Sequence, residues 1–139
     1  MAVKTIKIGE LAKRTGATVE TIRYYEKERL LPEPFRSEGN YRLYNEEHIK
    51  RLQFILHCRT LDMALDDVRI LLEYWESPDK DCGDVNNLLD EHIHAVEIRM
   101  EELMHLKHHL TVLRQKCASS APASSCGILN ALVDNSCHE

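Results

Sequence analysis

The spacing of hydrophobic residues predicts that the start of the chain is helical. In residues 8–16 the apolar side chains fall on one helical face, and Gly16 is suited to end that helix. Thr18 is a typical capping residue for a second short helix, predicted over residues 18–31. Two short helices joined by a turn that contains glycine are the sequence outline of a helix-turn-helix.

The segment after the second helix predicts a β-hairpin, or wing. Gly39 and Asn40 can supply the positive φ values of a tight turn, and the alternating stretch YRLY follows them. This hairpin would display Arg36, Tyr41 and Arg42, side chains that suit contacts with phosphate. An ordinary surface hairpin is the alternative, and its position directly after a helix-turn-helix makes that alternative less favoured.

Two more helices are predicted before residue 77. Asn45 caps the third helix, and Cys58 within it has apolar neighbours, which is typical of a core residue rather than a metal ligand. The fourth helix is predicted over residues 64–76, and residues 77–83 form a polar link.

Residues 84–116 contain neither proline nor glycine and predict one long helix with a coiled-coil seam. Steps of four and three residues give ten seam positions, seven of them aliphatic, and one further step back reaches Cys82. The ten positions are Val85, Leu89, His92, Val96, Arg99, Leu103, Leu106, Leu110, Leu113 and Cys117. His92 and Arg99 are interpreted as a device that fixes register or strand orientation, or as a partly exposed part of the seam, and this is favoured over a metal role for His92.

The two ends of this seam are cysteines that one copy of the chain cannot bring together. Cys82 and Cys117 would lie about 50 Å apart along a helix that rises about 1.5 Å per residue. Since the sequence has no second helix of this kind, the partner helix belongs to another copy. A parallel pair would bring like cysteines together. An antiparallel pair would place Cys82 beside the other copy's Cys117, and the loop can fold Cys126 back to the same place.

The loop from Cys117 to Cys126 contains no imidazole or carboxylate, so sulfur is its only side-chain metal ligand of note. Three thiolates favour soft ions such as Cd(II), Pb(II) or Hg(II), whereas Zn(II) usually takes four protein ligands. Five cysteines, an odd number, favour thiols or metal ligands over disulfides. Cys137 and His138 are possible additional ligands, a second site or a frayed end.

The net charge of −5 conceals an asymmetry between the two halves of the 139-residue chain. Residues 1–60 carry 12 Lys and Arg against 8 Asp and Glu, whereas residues 61–139 carry 6 against 15. A basic first half indicates an anionic partner. No signal peptide or membrane span is readable, so a cytoplasmic protein without a membrane partner is expected. No grouping of nucleophile, base and oxyanion donor suggests an enzyme.

These segments together resemble the MerR family of metal-responsive transcription regulators. The stretch IGELAKRTGATVETIRYYEKERLL resembles the family's helix-turn-helix, and RSEGNYRLY resembles its wing. Cys82, Cys117 and Cys126 resemble its metal-binding cysteines. Within the family the resemblance is nearest to the cadmium- and lead-responsive branch, the CadR and PbrR regulators, with mercury as the main competitor.

The resemblance implies a homodimer that binds double-stranded promoter DNA and switches from repressor to activator. Binding of Cd(II) or Pb(II), with Hg(II) and Zn(II) as alternatives, would make the dimer untwist and bend an over-long promoter spacer. RNA polymerase could then transcribe heavy-metal resistance genes. The residues expected to contact DNA are Arg23, Tyr24, Tyr41 and Arg42, together with Arg36 and Thr18.

The expected fold is mainly α, an N-terminal winged helix-turn-helix followed by a long dimerisation helix in an antiparallel coiled coil. The expected domains are the DNA-binding domain 1–76, the link 77–83, the coiled-coil helix 84–117, and the metal-binding loop, short helix and tail 118–139. A cytosolic thiol buffer for metals is the competing function from another class. The basic winged segment argues against it, because a buffer does not need one.

Overall fold

The computed structural model describes residues 4–117, 120 and 122–135. The chain forms two compact units, Met1–Val85 and Asn86–Glu139. Among the described residues, no helix is long and apolar enough to span a membrane. The four-part domain division stays a prediction.

The first unit begins with the two short helices of the helix-turn-helix, α1 (Ile8–Thr15) and α2 (Val19–Lys27). Gly16 ends α1 at φ 79°, and the Thr18 side chain accepts a hydrogen bond from the Thr21 amide, as predicted. Helix α2 ends four residues earlier than the predicted Leu31. The reason is that Arg29 adopts a left-handed conformation with φ 61°, which turns the chain out of the helix.

The wing is part of a three-stranded antiparallel sheet formed by β1 (Ile6–Lys7), β2 (Phe35–Arg36) and β3 (Arg42–Tyr44), in the order β1-β3-β2. The predicted hairpin is confirmed, whereas strand β1 was not predicted. The expectation that both turn residues have positive φ is wrong, because only Asn40 does, at 63°. A Cβ atom at Gly39 would make a tight contact with the exposed Tyr41 ring, at 3.1 Å.

Helices α3 (Glu46–Thr60) and α4 (Leu65–Trp75) complete the first unit. Asn45 caps α3, and His48 completes the capping box by accepting from the Asn45 amide. Cys58 is a core residue, as predicted, with 8% of its surface exposed. The buried core of this unit consists of Leu11, Ile22, Tyr25, Leu30, Leu31, Tyr44, Leu52, Ile55, Cys58, Met63, Val68 and Leu72.

The long helix α5 runs over Gly83–Gln115, and within one copy of the chain it has no buried residue. Most of the aliphatic seam side chains are exposed, and exposed Ile93 and Met100 stand next to the two polar seam positions. The apolar stripe is therefore continuous along the helix. A stripe of this length is typical of a helix that packs against a partner.

The second unit ends with a 3₁₀ turn, Ala123–Ser125, and the predicted short helix α6 (Gly127–Val133). The fold is mainly helical with a small β wing and one long helix, as expected. The antiparallel pairing of that helix stays a prediction.

Candidate nucleic-acid interface and metal centre

A basic cleft of about 420 Å³ lies between helix α2 and the wing. The fold brings three of the predicted DNA-contacting arginines to this cleft, two of them from the wing. Lys27 joins them, although sequence reasoning did not single it out. Its signal was available, because it follows Arg23 by one helical turn. The lining residues are Arg23, Glu26, Lys27, Glu33, Pro34, Arg36 and Arg42.

The carboxylate of Glu26 joins α2 to strand β3 at the base of this cleft. The Tyr44 hydroxyl donates to one oxygen of Glu26, and Arg42 Nε lies 3.4 Å from the other. Only 12% of the Glu26 side chain is exposed, so solvent screens these interactions weakly. Burial, and then the hydrogen bond to Glu26, raises the pKa of Tyr44 well above its usual range. Tyr44 therefore remains a protonated donor near neutral pH.

Arg42 was predicted to contact DNA, but part of its guanidinium group faces Glu26 instead. Its Nε atom is buried and has no hydrogen-bond partner of good geometry among the described residues, despite the nearby Glu26 carboxylate. Arg42 thus contributes charge to the cleft and also connects the wing to α2. Sequence reasoning missed Glu26 and Tyr44 because their pairing joins residues 18 positions apart.

Other predicted contact residues lie on exposed parts of the helix-turn-helix and the wing. Tyr24 and Tyr41 are exposed, and Lys7 Nζ lies 4.6 Å from the centre of the Tyr41 ring. Lys7 was missed because it belongs to the unpredicted strand β1. The Thr18 hydroxyl caps α2 and lies 2.8 Å from the Thr21 hydroxyl. It therefore stabilises the start of α2.

The structure brings Cys117 and Cys126 together at the end of α5. The amide of Leu129 lowers the pKa of the Cys126 thiol, and smaller contributions in the same direction come from the Ile128 amide and the Cys117 side chain. Both sulfurs are half-buried, and the described cysteines form no disulfide. A lowered pKa favours the thiolate, which is the form that binds metal.

Cys82 lies before the opposite end of α5 and is exposed. Within the described part of one chain, no three His, Cys, Asp or Glu side chains are grouped as a metal site. Cys82 is therefore not grouped with other ligand residues within the described part of one chain, and its sharing between two copies stays a prediction. Cys137 and His138 lie outside the described residues.

Gly127 controls the approach of the two cysteines in the loop. A Cβ atom at this position would lie 2.1 Å from the Lys116 carbonyl oxygen, so α6 starts directly against the end of α5. At the same end, Arg114 Nη1 donates to the Cys117 carbonyl at 2.7 Å. The close contact between Gly127 and Lys116 is not readable from local sequence, because it joins residues 11 positions apart.

The helix-turn-helix, the wing and the basic cleft define a winged DNA-binding protein. Two family models match the chain, "MerR HTH family regulatory protein" over residues 6–75 and "MerR, DNA binding" over residues 49–113. The chain belongs to the MerR family of helix-turn-helix regulatory proteins. The family prediction is confirmed.

Three relatives illustrate this membership. The chain is 48% identical to a ZntR homologue of Haemophilus influenzae over 115 residues, which is 83% of this chain and 85% of that protein. It is 39% identical to the regulator ZntR of Escherichia coli, with 91% of each chain covered. A crystal structure of the regulator PbrR691 from Ralstonia metallidurans in complex with lead(II) is 50% identical. That match has a TM-score of 0.82 and covers 91% of this chain and 98% of the other. These relatives are transcription regulators and not enzymes, in agreement with the prediction.

The substitution Gly127→Ala should separate Cys126 from Cys117. Its Cβ atom would overlap the Lys116 carbonyl, and such overpacking costs about 1–3 kcal/mol. The ratio of closed to open loop should fall by about tenfold or more. The rate at which dibromobimane cross-links the two thiols would measure this, with Cys82→Ser and Cys137→Ser present in every protein so that no other exposed thiol competes. Gly9→Ala is the matched control, since a Cβ atom there meets nothing within 4 Å. Equal cross-linking in both variants would contradict the assigned role of Gly127.

The substitution Arg23→Ala should weaken binding to all DNA sequences. It should also reduce the slope of log affinity against log salt concentration by about 1, the contribution of one phosphate contact. Fluorescence anisotropy across a salt series, with a duplex selected by the protein from a random library, would measure this. Arg23 is a cleaner probe than Arg42. Arg42→Ala should weaken binding similarly, but it also leaves the Glu26 carboxylate without its ion pair.

Lys80→Ala is the control for Arg23→Ala, because it removes the same charge outside the cleft. If Lys80→Ala reduced the slope of log affinity against log salt concentration equally, net charge rather than the cleft would determine the salt dependence.

Proposed function

We propose that the protein is a metal-sensing transcription regulator that binds promoter DNA as a homodimer. On binding Cd(II) or Pb(II) it activates heavy-metal resistance genes. The basic cleft and wing support the DNA-binding part of this proposal. The cysteines at both ends of α5 support the metal-sensing part.

The observation that carries the proposal is that, among the described residues of one chain, each end of α5 has fewer than the three cysteine thiols of the predicted metal site. Cys117 and Cys126 supply two adjacent thiols, one of them with a lowered pKa. Cys82 lies before the other end of the helix. In an antiparallel dimer, Cys82 of one copy would complete the site formed by Cys117 and Cys126 of the other. The continuous apolar stripe on α5 supports pairing with a second copy.

The donor set fits a soft ion. Three thiolates would hold the metal, and bound metal would link the two subunits through sulfur at each end of the dimer. The lead(II) complex of PbrR691 favours Pb(II), whereas the ZntR relatives keep Zn(II) among the alternatives, along with Hg(II). Zn(II) would need a fourth ligand, and Cys137 and His138 are the candidates in the tail.

The DNA side of the proposal assigns two kinds of contact. Arg23, Arg36 and Arg42 would pair with phosphates from the cleft. Exposed Tyr24 and Tyr41 would add phenol donors, while Thr18 lies at the start of α2. Two such surfaces in a dimer would bind a pseudo-palindrome on either side of an over-long promoter spacer. A change of the dimer between two states would distort that spacer and allow RNA polymerase to engage both promoter elements.

The proposed response should appear as metal-dependent transcription in vitro. Transcription from a promoter that the protein binds should rise with Cd(II) or Pb(II) at lower free concentrations than with Zn(II), because three thiolates suit softer ions. Hg(II) is included as the main competitor. A protein that binds these metals but never changes transcription would instead be a thiol buffer.

Mixing two inactive variants tests whether the metal site is shared. Cys82→Ser and Cys117→Ser homodimers should each lack complete sites, whereas a heterodimer should regain one intact site in the antiparallel arrangement. Metal binding per dimer, measured after exchange of differently tagged subunits, would show this recovery. Cys58→Ser mixed with Cys82→Ser is a control that already contains one complete site, because Cys58 lies in the core. Zero recovery in the Cys82→Ser and Cys117→Ser mixture would contradict the shared site.

A further inference from the structure

A hydrogen bond joins the end of α4 to the segment 82–84, which contains Cys82 and the start of α5. The Tyr74 hydroxyl, in the last turn of α4, donates to the carboxylate of Asp84 in the first turn of α5. Cys82 lies two residues before Asp84. Lys80 Nζ lies 5.2 Å from the centre of the Tyr74 ring, so the same side chain also contacts the link.

The other contacts of α4 lead to the end of the DNA-reading helix α2. Arg69 on α4 donates to the carbonyl oxygen of Glu28 at 2.7 Å, and Glu28 is the residue that ends α2. Glu76, at the end of α4, pairs with Arg51 of α3. Arg51 in turn donates through Nε to the Leu30 carbonyl at 2.7 Å. Helix α4 is thus joined to the end of α2 directly through Arg69, and to the turn that follows α2 indirectly, through Glu76 and Arg51.

The hydrogen bonds of Arg51 and Tyr74 differ in how strongly water competes with them, because the two side chains differ in exposure. The Arg51 side chain is only 15% exposed, and burial lowers its pKa from the usual value. Its hydrogen bond to a carbonyl is therefore shielded from competing water. The Tyr74 hydrogen bond to Asp84 is exposed and competes with water. The contact of Arg51 with the Leu30 carbonyl is thus better shielded from water than the contact of Tyr74 with Asp84.

We propose that Tyr74 is a positioning residue that couples the Cys82 segment to the DNA-reading helix. Its hydrogen bond to Asp84 carries a displacement of the Cys82 segment into α4, and Arg69 and Arg51 pass that displacement to the end of α2. This inference rests on the proposed metal-sensing function. It concerns the transmission of the signal, since Tyr74 is neither a predicted ligand nor part of the DNA-binding cleft.

The test compares Tyr74→Phe with the unmodified protein in three measurements. These are the affinity for Pb(II), the affinity of the metal-free protein for the selected duplex, and the metal-dependent change in energy transfer between dyes at the duplex ends. Tyr74→Phe keeps the aromatic ring and removes only the donor. The first two quantities should stay within about twofold. The coupling between metal and DNA distortion should fall about fivefold or more, the usual scale of coupling between two sites.

Substitutions of Asp84 separate the hydrogen bond from the charge. Asp84→Asn keeps an acceptor for the Tyr74 hydroxyl and should preserve most of the coupling. Asp84→Ala removes the acceptor and should reproduce Tyr74→Phe. The double variant Tyr74→Phe with Asp84→Ala should be no worse than either single variant, since both remove the same interaction.

The outcomes distinguish this inference from the function on which it rests. If the unmodified protein binds Pb(II) without any change in DNA distortion, the proposed function fails, and the inference fails with it. If the unmodified protein responds and Tyr74→Phe responds equally, only the role of Tyr74 is overturned. A loss of DNA affinity in metal-free Tyr74→Phe that matches the loss of coupling would likewise overturn it, by showing a structural role.

Discussion

The structure depends on a helix that cannot bury its own apolar side. Helix α5 has 33 residues, and within one chain none of them is buried. The hydrophobic effect penalises such a stripe in water, so packing against a partner would stabilise the helix. The same helix separates Cys82 from Cys117. In the proposed dimer, the pairing that covers the stripe would also determine which thiols meet, so dimerisation and metal binding would depend on the same helix.

In the first unit, one shielded carboxylate helps to position the basic residues of the cleft. The cleft between α2 and the wing gathers four cations in a protein whose net charge is negative. Its geometry depends on an anion, the shielded carboxylate of Glu26, which holds Tyr44 and Arg42. The carboxylate of Glu26, at the base of the cleft, thus positions part of the basic surface that is proposed to bind phosphate. The attraction to DNA remains local to the cleft, since the chain as a whole is acidic.

The local features of the fold were predictable from sequence, and the long-range contacts were not. Thr18 and Gly16 mark helix ends by chemistry that acts within a few residues, and periodicity identified the long helix. Strand β1 has only two residues and depends on pairing with a strand more than thirty positions away. Gly127 begins α6, and the absence of its side chain leaves room for the Lys116 carbonyl, a contact that local sequence does not predict. The adjacent thiols could be foreseen from loop length, whereas the contact that closes the loop could not.

The burial of Cys58 has a consequence for a protein that meets thiol-seeking ions. Its sulfur lies in the core of the first unit, and burial raises the pKa of this thiol. It is therefore mostly protonated and shielded, while the thiols at the ends of α5 are accessible and one is biased toward thiolate. The two groups of cysteines differ in reactivity although they share one chemistry. An ion that binds thiols would therefore meet the sulfurs near the ends of α5 before the buried sulfur of Cys58, and the core of the first unit would stay intact.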